Sequence, residues 1–162
     1  MNAPMLLSPD ALARIDKAIA KYPADQKQSA VMAALTIAQD EKRWLSTETM
    51  DFIAQYLEMP PIAVYEVASF YTMYDLKPVG RCKLAICTNL PCALQGANLA
   101  AAHLKQKLGI AFGETTADGA FTLKEAECMG ACGDAPVLLV NNKRMACAMT
   151  ADKIDQLIEE FR

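Results

Sequence analysis

The stretch "CKLAICTNLPC", residues 82–92, is where the chain changes character. Cys82 to Thr88 reads as a strand, with Leu84 and Ile86 on one face. Pro91 then opens a helix, where a missing N–H costs nothing. Its apolar stripe continues through Ala97, Ala101, Leu104 and Leu108. A strand running directly into a helix begins an α/β unit, and Cys87 and Cys92 bracket the loop between them.

Downstream the same alternation continues. "DGAFTLKEAE" (residues 118–127) offers an Asp118-Gly119 turn and a second strand. "PVLLV" and "RMACA" are separated by Asn141-Asn142, a hairpin signal. Thr150 caps a last helix that aligns Ile154, Leu157, Ile158 and Phe161. The order β-α-β-β-α, with room for an extra short strand, predicts a small α/β sandwich like that of thioredoxin.

Upstream, residues 9–75 read as helical throughout. Leu12, Ile15 and Ile19 form one stripe, and Val31, Leu35 and Ala38 another after Tyr22-Pro23. Met50, Ile53, Ala54 and Leu57 form a third, capped by Ser46 or Thr47. Pro60-Pro61 opens a fourth, with Val64, Val67, Ala68 and Tyr71 on one face. Such stripes bury one another in a small bundle. The fold class is therefore α+β, with a helical bundle over residues 1–77 and an α/β domain over 78–162.

Composition limits the function. A net charge of −3 opposes a nucleic-acid footprint. No apolar run approaches the ~20 residues of a membrane span. The N-terminal stretch lacks the layout of a secretory signal, so a cytoplasmic location is expected. There the 6 cysteines stay reduced, which points to metal binding or redox chemistry rather than disulfides.

Four cysteines form two pairs, each at a strand end. Cys87 and Cys92 enclose four residues, and Cys128 and Cys132 enclose three ("CMGAC"). If the two loops are neighbours, four thiolates converge. A thioredoxin dithiol needs two intervening residues, which neither pair has. A Rieske centre needs two histidines, and the chain has only His103, which reads as a surface residue. Spacing favours a [2Fe–2S] cluster, then structural zinc, then reduced structural cysteines. Gly130 and Gly133 allow tight turns that aim amides at sulfur, and Cys92 lies in the first turn of a helix, where a thiolate is favoured. Leu90, Met129 and Ala131 are candidates to cover the site. Cys82 and Cys147 read as small buried apolar residues.

These motifs, "C-TNLP-C" and "EC-MGA-CGDAPV", resemble those of the small thioredoxin-like [2Fe–2S] subunit family of NADH:quinone oxidoreductase, respiratory complex I. "ALTIAQDEKRWLS", "VYEVASFYTMYDLKPVGR" and "GETTADGAFTL" extend the resemblance over nearly the whole chain. Two departures stand out: the family implies a glycine before the tryptophan where this chain has Arg43-Trp44, and "MACAMT" replaces a segment in which an aromatic or acidic residue is usual.

The resemblance implies that Cys87, Cys92, Cys128 and Cys132 are the ligands of a [2Fe–2S] cluster. It implies a larger flavoprotein partner carrying FMN, NADH and a [4Fe–4S] cluster, further subunits of a complex, and placement on the cytoplasmic face of the inner membrane without insertion. The cluster would exchange an electron with the partner's flavin, and the isolated chain would turn over no substrate. Consistent with this, the chain has neither a G-x-G-x-x-G after a strand nor a P-loop. The matching subunit of an NAD-reducing hydrogenase or NAD-dependent formate dehydrogenase shares these motifs. A zinc-binding interaction module and a free thiol oxidoreductase are the readings from other classes. Trp44, Phe70, Tyr71 and Tyr74 are candidates for a docking face or for packing between the helices and the α/β domain, with Tyr71 assigned to the core by its stripe.

Overall fold

The structure is a computed structural model that describes residues 6–162. The first five residues of the stretch read for a secretory signal lie outside it. Two compact units follow one another, the first ending at Pro78 and the second beginning at Val79.

In the first unit, α1 (Pro9–Ile19) is opened by Ser8, whose hydroxyl accepts the Ala11 N–H at 3.2 Å. Ala11, Ile15 and Ala18 are buried, while Leu12 and Ile19 are half-buried on either side of them. A short 3-10 turn, Lys27–Ala30, leads into α2 (Val31–Lys42), which buries Val31, Leu35 and Ala38. Ser46 caps α3 (Thr47–Tyr56), accepting the Thr49 N–H at 3.2 Å. α4 (Pro61–Phe70) buries Val64 and Ala68.

The helical reading to residue 75 runs five residues too far. Tyr71 already has extended backbone and is 40% exposed, so it leaves the stripe that assigned it to the core. After it, Tyr74 and Asp75 are buried without being helical, and Gln39 supplies backbone partners to this segment. Its side-chain amide donates to the Met73 carbonyl at 2.9 Å and accepts the Asp75 N–H at 2.7 Å. Tyr74 is buried and donates its hydroxyl to the Met32 carbonyl at 2.8 Å, so it belongs to the core and not to a surface. Phe70, in contrast, is 78% exposed.

The second unit is a four-stranded mixed sheet in the order β2-β1-β3-β4. The strands are β1 (Cys82–Cys87), β2 (Phe121–Ala126), β3 (Leu138–Val140) and β4 (Arg144–Ala146). β1 runs parallel to β2, with Cys82 opposite Phe121 and Cys87 opposite Ala126. β3 is antiparallel to both β1 and β4. β4 is the extra short strand that the hairpin signal allowed. Its turn places Asn141 and Asn142 at φ 51° and 57°, the paired left-handed geometry of a two-residue hairpin. Being central, β1 buries all six residues, not only one face.

The helices of this unit are α5 (Leu90–Leu94), α6 (Ala97–Leu108) and α7 (Ala151–Glu160). α6 packs on β1 and β2 and against α7. The core joins Leu84, Ile86, Leu104, Leu123, Leu138 and Ile154. Among the described residues no helix is long and apolar enough to cross a membrane.

Candidate metal centre

The parallel pairing of β1 with β2 brings the two cysteine loops together. Both strands end at the same edge, because Cys87 lies opposite Ala126. Cys87 is therefore the last residue of β1, and Cys128 follows the end of β2 by two positions. The Cys87 N–H donates to the Val137 carbonyl at 3.1 Å, which draws the start of β3 to the same place. Cys87, Cys92, Ala97 and Val137 form a small buried cluster, with Met129, Ala131, Ala135 and Cys147 packed against it.

The four thiols meet as two pairs. Cys128 and Cys132 hold their sulfurs 3.6 Å apart. Two thiolates on one tetrahedral ion, at a metal–sulfur distance of about 2.3 Å, lie roughly 3.7 Å apart. The Cys92 thiol is hydrogen-bonded with Cys87 and also interacts with Cys132. Cys132 in turn interacts with both Cys128 and Cys87. Electrostatic interaction thus links the two pairs, while among the described residues no group of three or more potential ligands is already gathered around one point.

Their environments differ. Cys87 and Cys92 are each 1% exposed, while Cys128 and Cys132 are exposed. Burial pushes the Cys92 thiol up, and its hydrogen bond with Cys87 adds to this. The hydrogen bond with Cys128 pushes Cys132 up, with repulsion between the two sulfurs as the next cause. Crowded thiols hold on to their protons when no cation shares the space, and bound iron would supply the compensating positive charge. The donor set therefore fits a [2Fe–2S] cluster: four soft sulfur ligands in two pairs, each pair suited to one iron.

Backbone donors address two of the sulfurs. Gly130 has φ 75°, and its N–H points at the Cys128 sulfur at 3.4 Å. The Val137 N–H donates to Cys92 and pulls its thiol pKa the other way. Val137 was not singled out by sequence reasoning, because its donor depends on how the loop after Cys132 returns to the sheet. The expected help from a helix N-terminus at Cys92 is small, since α5 is 5 residues long. Gly133 lies in the short 3-10 turn Cys132–Asp134 without a left-handed φ, Leu90 is 71% exposed and does not cover the site, and Met129 and Ala131 do pack there.

The remaining candidates fall outside the site. Cys82 is buried in the sheet core, where burial pushes its thiol up to about 11. Cys147 is half-buried beside the cluster. His103, read as solvated, is half-buried and meets the Asp155 carboxylate of α7 at 2.8 Å.

Residues 15–162 match the thioredoxin-like [2Fe–2S] ferredoxin family. The chain is 41% identical over 145 residues to the E subunit of NADH-quinone oxidoreductase from Rickettsia bellii, covering 89% of this chain and 86% of that one. It is 43% identical over 148 residues to the second E subunit of NADH-quinone oxidoreductase from Rhizobium meliloti, covering 91% and 86%. Among solved structures it resembles an NAD+-reducing [NiFe]-hydrogenase in the H2-reduced state, with a TM-score of 0.71 and 26% identity over 81% of this chain. It spans 22% of the length of that hydrogenase chain.

Proposed function

Because the chain belongs to the thioredoxin-like [2Fe–2S] ferredoxin family, we propose that Cys87, Cys92, Cys128 and Cys132 hold its cluster and that it is the electron-transfer subunit of an NADH-oxidising complex. The observation that supports the ligand assignment is the pair of interacting thiol pairs carried by the loops that follow β1 and β2. The relatives from NADH-quinone oxidoreductase, similar over nearly their whole length, support the parent complex.

When bound, the cluster supplies one-electron transfer. The chain does the rest. Cys87 and Cys92 fix one side of the site in the buried cluster, where Val137, Met129 and Ala131 limit water. Cys128 and Cys132 face outward and form the side from which an electron partner is reached. The N–H groups of Gly130 and Val137 stabilise negative charge on sulfur. The partner in this reading is a larger flavoprotein that binds FMN and NADH, within a complex held at the cytoplasmic face of a membrane. The likeness to the hydrogenase favours a second reading, the equivalent subunit of an NAD-reducing hydrogenase.

The test is an anaerobic purification of the chain with iron, sulfide and zinc measured on one sample, together with EPR. Two irons and two sulfides, EPR-silent until one electron is added, support the reading. One zinc without sulfide overturns it. Identification of the co-purifying flavoprotein and its neighbours separates the respiratory complex from the hydrogenase.

A further inference from the structure

The backbone ladder between the two cysteine strands stops where the ligands begin. Its register ends at Cys87 opposite Ala126, and the next backbone contact, from the Thr88 N–H to the Ala126 carbonyl, has lengthened to 3.4 Å. Beyond that point the loops are joined by side chains. The Thr88 hydroxyl donates to Glu125 Oε1 at 2.6 Å, and Asn89 Nδ2 donates to Glu127 Oε2 at 2.7 Å. Thr88 directly follows one cysteine, Cys87, and Glu127 directly precedes another, Cys128. Each tie therefore spans from one cysteine pair to the other.

We propose that Thr88 and Asn89, with Glu125 and Glu127, form a clasp that sets the spacing of the two cysteine pairs and lowers the reduction potential of the cluster by fixing carboxylates beside it. This rests on the ligand assignment above. The four residues touch none of the reacting atoms, so they are positioning residues acting through the cysteines. A hydrogen bond to a carboxylate is among the stronger neutral-to-charged contacts, and these two are short. They order both side chains at an exposed edge, where a free glutamate would sample many rotamers. A carboxylate held on the residue beside a ligand cysteine, as Glu127 is beside Cys128, opposes the arrival of an electron, whereas the N–H groups of Gly130 and Val137 favour it. The clasp thus couples geometry and charge in the same residues, and the two effects can be separated by substitution.

Three variants of the full cluster-loaded chain make the separation. Glu127→Gln keeps an oxygen to accept the Asn89 N–H but removes the charge. Its EPR line shape is expected to match wild type, while its reduced-to-oxidised ratio at a fixed potential rises up to tenfold, equivalent to 59 mV for one electron. Asn89→Asp sets two carboxylates against each other and breaks the tie. Loss of the cluster to a chelator is expected to speed up at least tenfold, with a changed line shape. In the double variant Asn89→Asp/Glu127→Gln, amide and carboxylate exchange places, the hydrogen bond reforms in the opposite sense and the net charge equals that of wild type. Cluster lifetime and line shape are expected to return.

The clasp is overturned if Asn89→Asp matches wild type in lifetime and line shape, or if the double variant is no better than Asn89→Asp. An unshifted potential in Glu127→Gln overturns its electrostatic part. Asn89→Ala, which removes the donor without adding charge, serves the lifetime comparison if Asn89→Asp does not fold. A wild-type chain that holds no iron, or one that keeps an unaltered cluster after Cys128→Ser, strikes the ligand assignment instead.

Discussion

Gly130 turns its N–H onto the sulfur of Cys128 at 3.4 Å, and it does so from a backbone at φ 75°. A Cβ built there meets nothing within 4 Å, so the constraint is conformational and not a clash. An L side chain in this region costs about 1–2 kcal/mol. Gly130→Ala is expected to relax the turn, withdraw the donor from the sulfur and make the cluster harder to reduce. Redox titration followed by EPR checks this; an unchanged or higher potential would show that the donor does not matter.

The proposed ligand set takes four of the six cysteines and leaves two out. Serine at Cys87, Cys92, Cys128 or Cys132 is expected to abolish the cluster or alter its spectrum. Serine at Cys82 is expected to leave the cluster intact at some cost in stability, about 1–3 kcal/mol, because it buries a hydroxyl in the sheet core. Iron and sulfide analysis beside a urea titration separates the two effects. A Cys82→Ser chain that folds without iron would refute the assignment.

Much of this was legible in the sequence because periodicity and punctuation agree. Pro61, Ser46 and Thr150 open helices as read, and Asn141-Asn142 turns the hairpin. The proposed site was suggested by the cysteines that strand ends carry. What was not legible depends on contacts distant in sequence. Tyr71 continues the stripe of α4 by spacing, yet the chain leaves the helix there, and the following segment takes its hydrogen bonds from Gln39 on α2. The Val137 N–H reaches Cys92 across 45 positions, which no local pattern encodes.

Arg43 ends α2 at φ 72°, a left-handed C-cap that glycine adopts without strain. This is the position before Trp44 where the family resemblance implies a glycine, so the departure is visible as backbone strain. Arg43→Gly is expected to stabilise the helical unit by about 1 kcal/mol, since the relief outweighs the added freedom of the unfolded chain. An upward shift of the urea midpoint at unchanged slope would support this, and a downward shift would show that the arginine side chain contributes more than its backbone loses.

Tyr56 of α3 donates its hydroxyl to the Asp16 carboxylate of α1 at 2.7 Å. That hydrogen bond, helped by partial burial, pushes the phenol up from its ordinary value of 10.0 to about 12. A group whose pKa is raised by folding contributes fully below its unfolded value and loses that contribution as pH climbs through the folded one. The link between α1 and α3 is therefore intact below pH 10 and fades between pH 10 and about 12. Tyr56→Phe removes the donor, so it is expected to be less stable than wild type at neutral pH and to approach it across that alkaline window. Urea midpoints of both chains at a series of pH values measure the difference. The ring stacked on Phe52 at 6.0 Å is kept in the variant, so a gap that stays constant from neutral pH to the top of the window would mean that the hydroxyl contributes by something other than its hydrogen bond to Asp16.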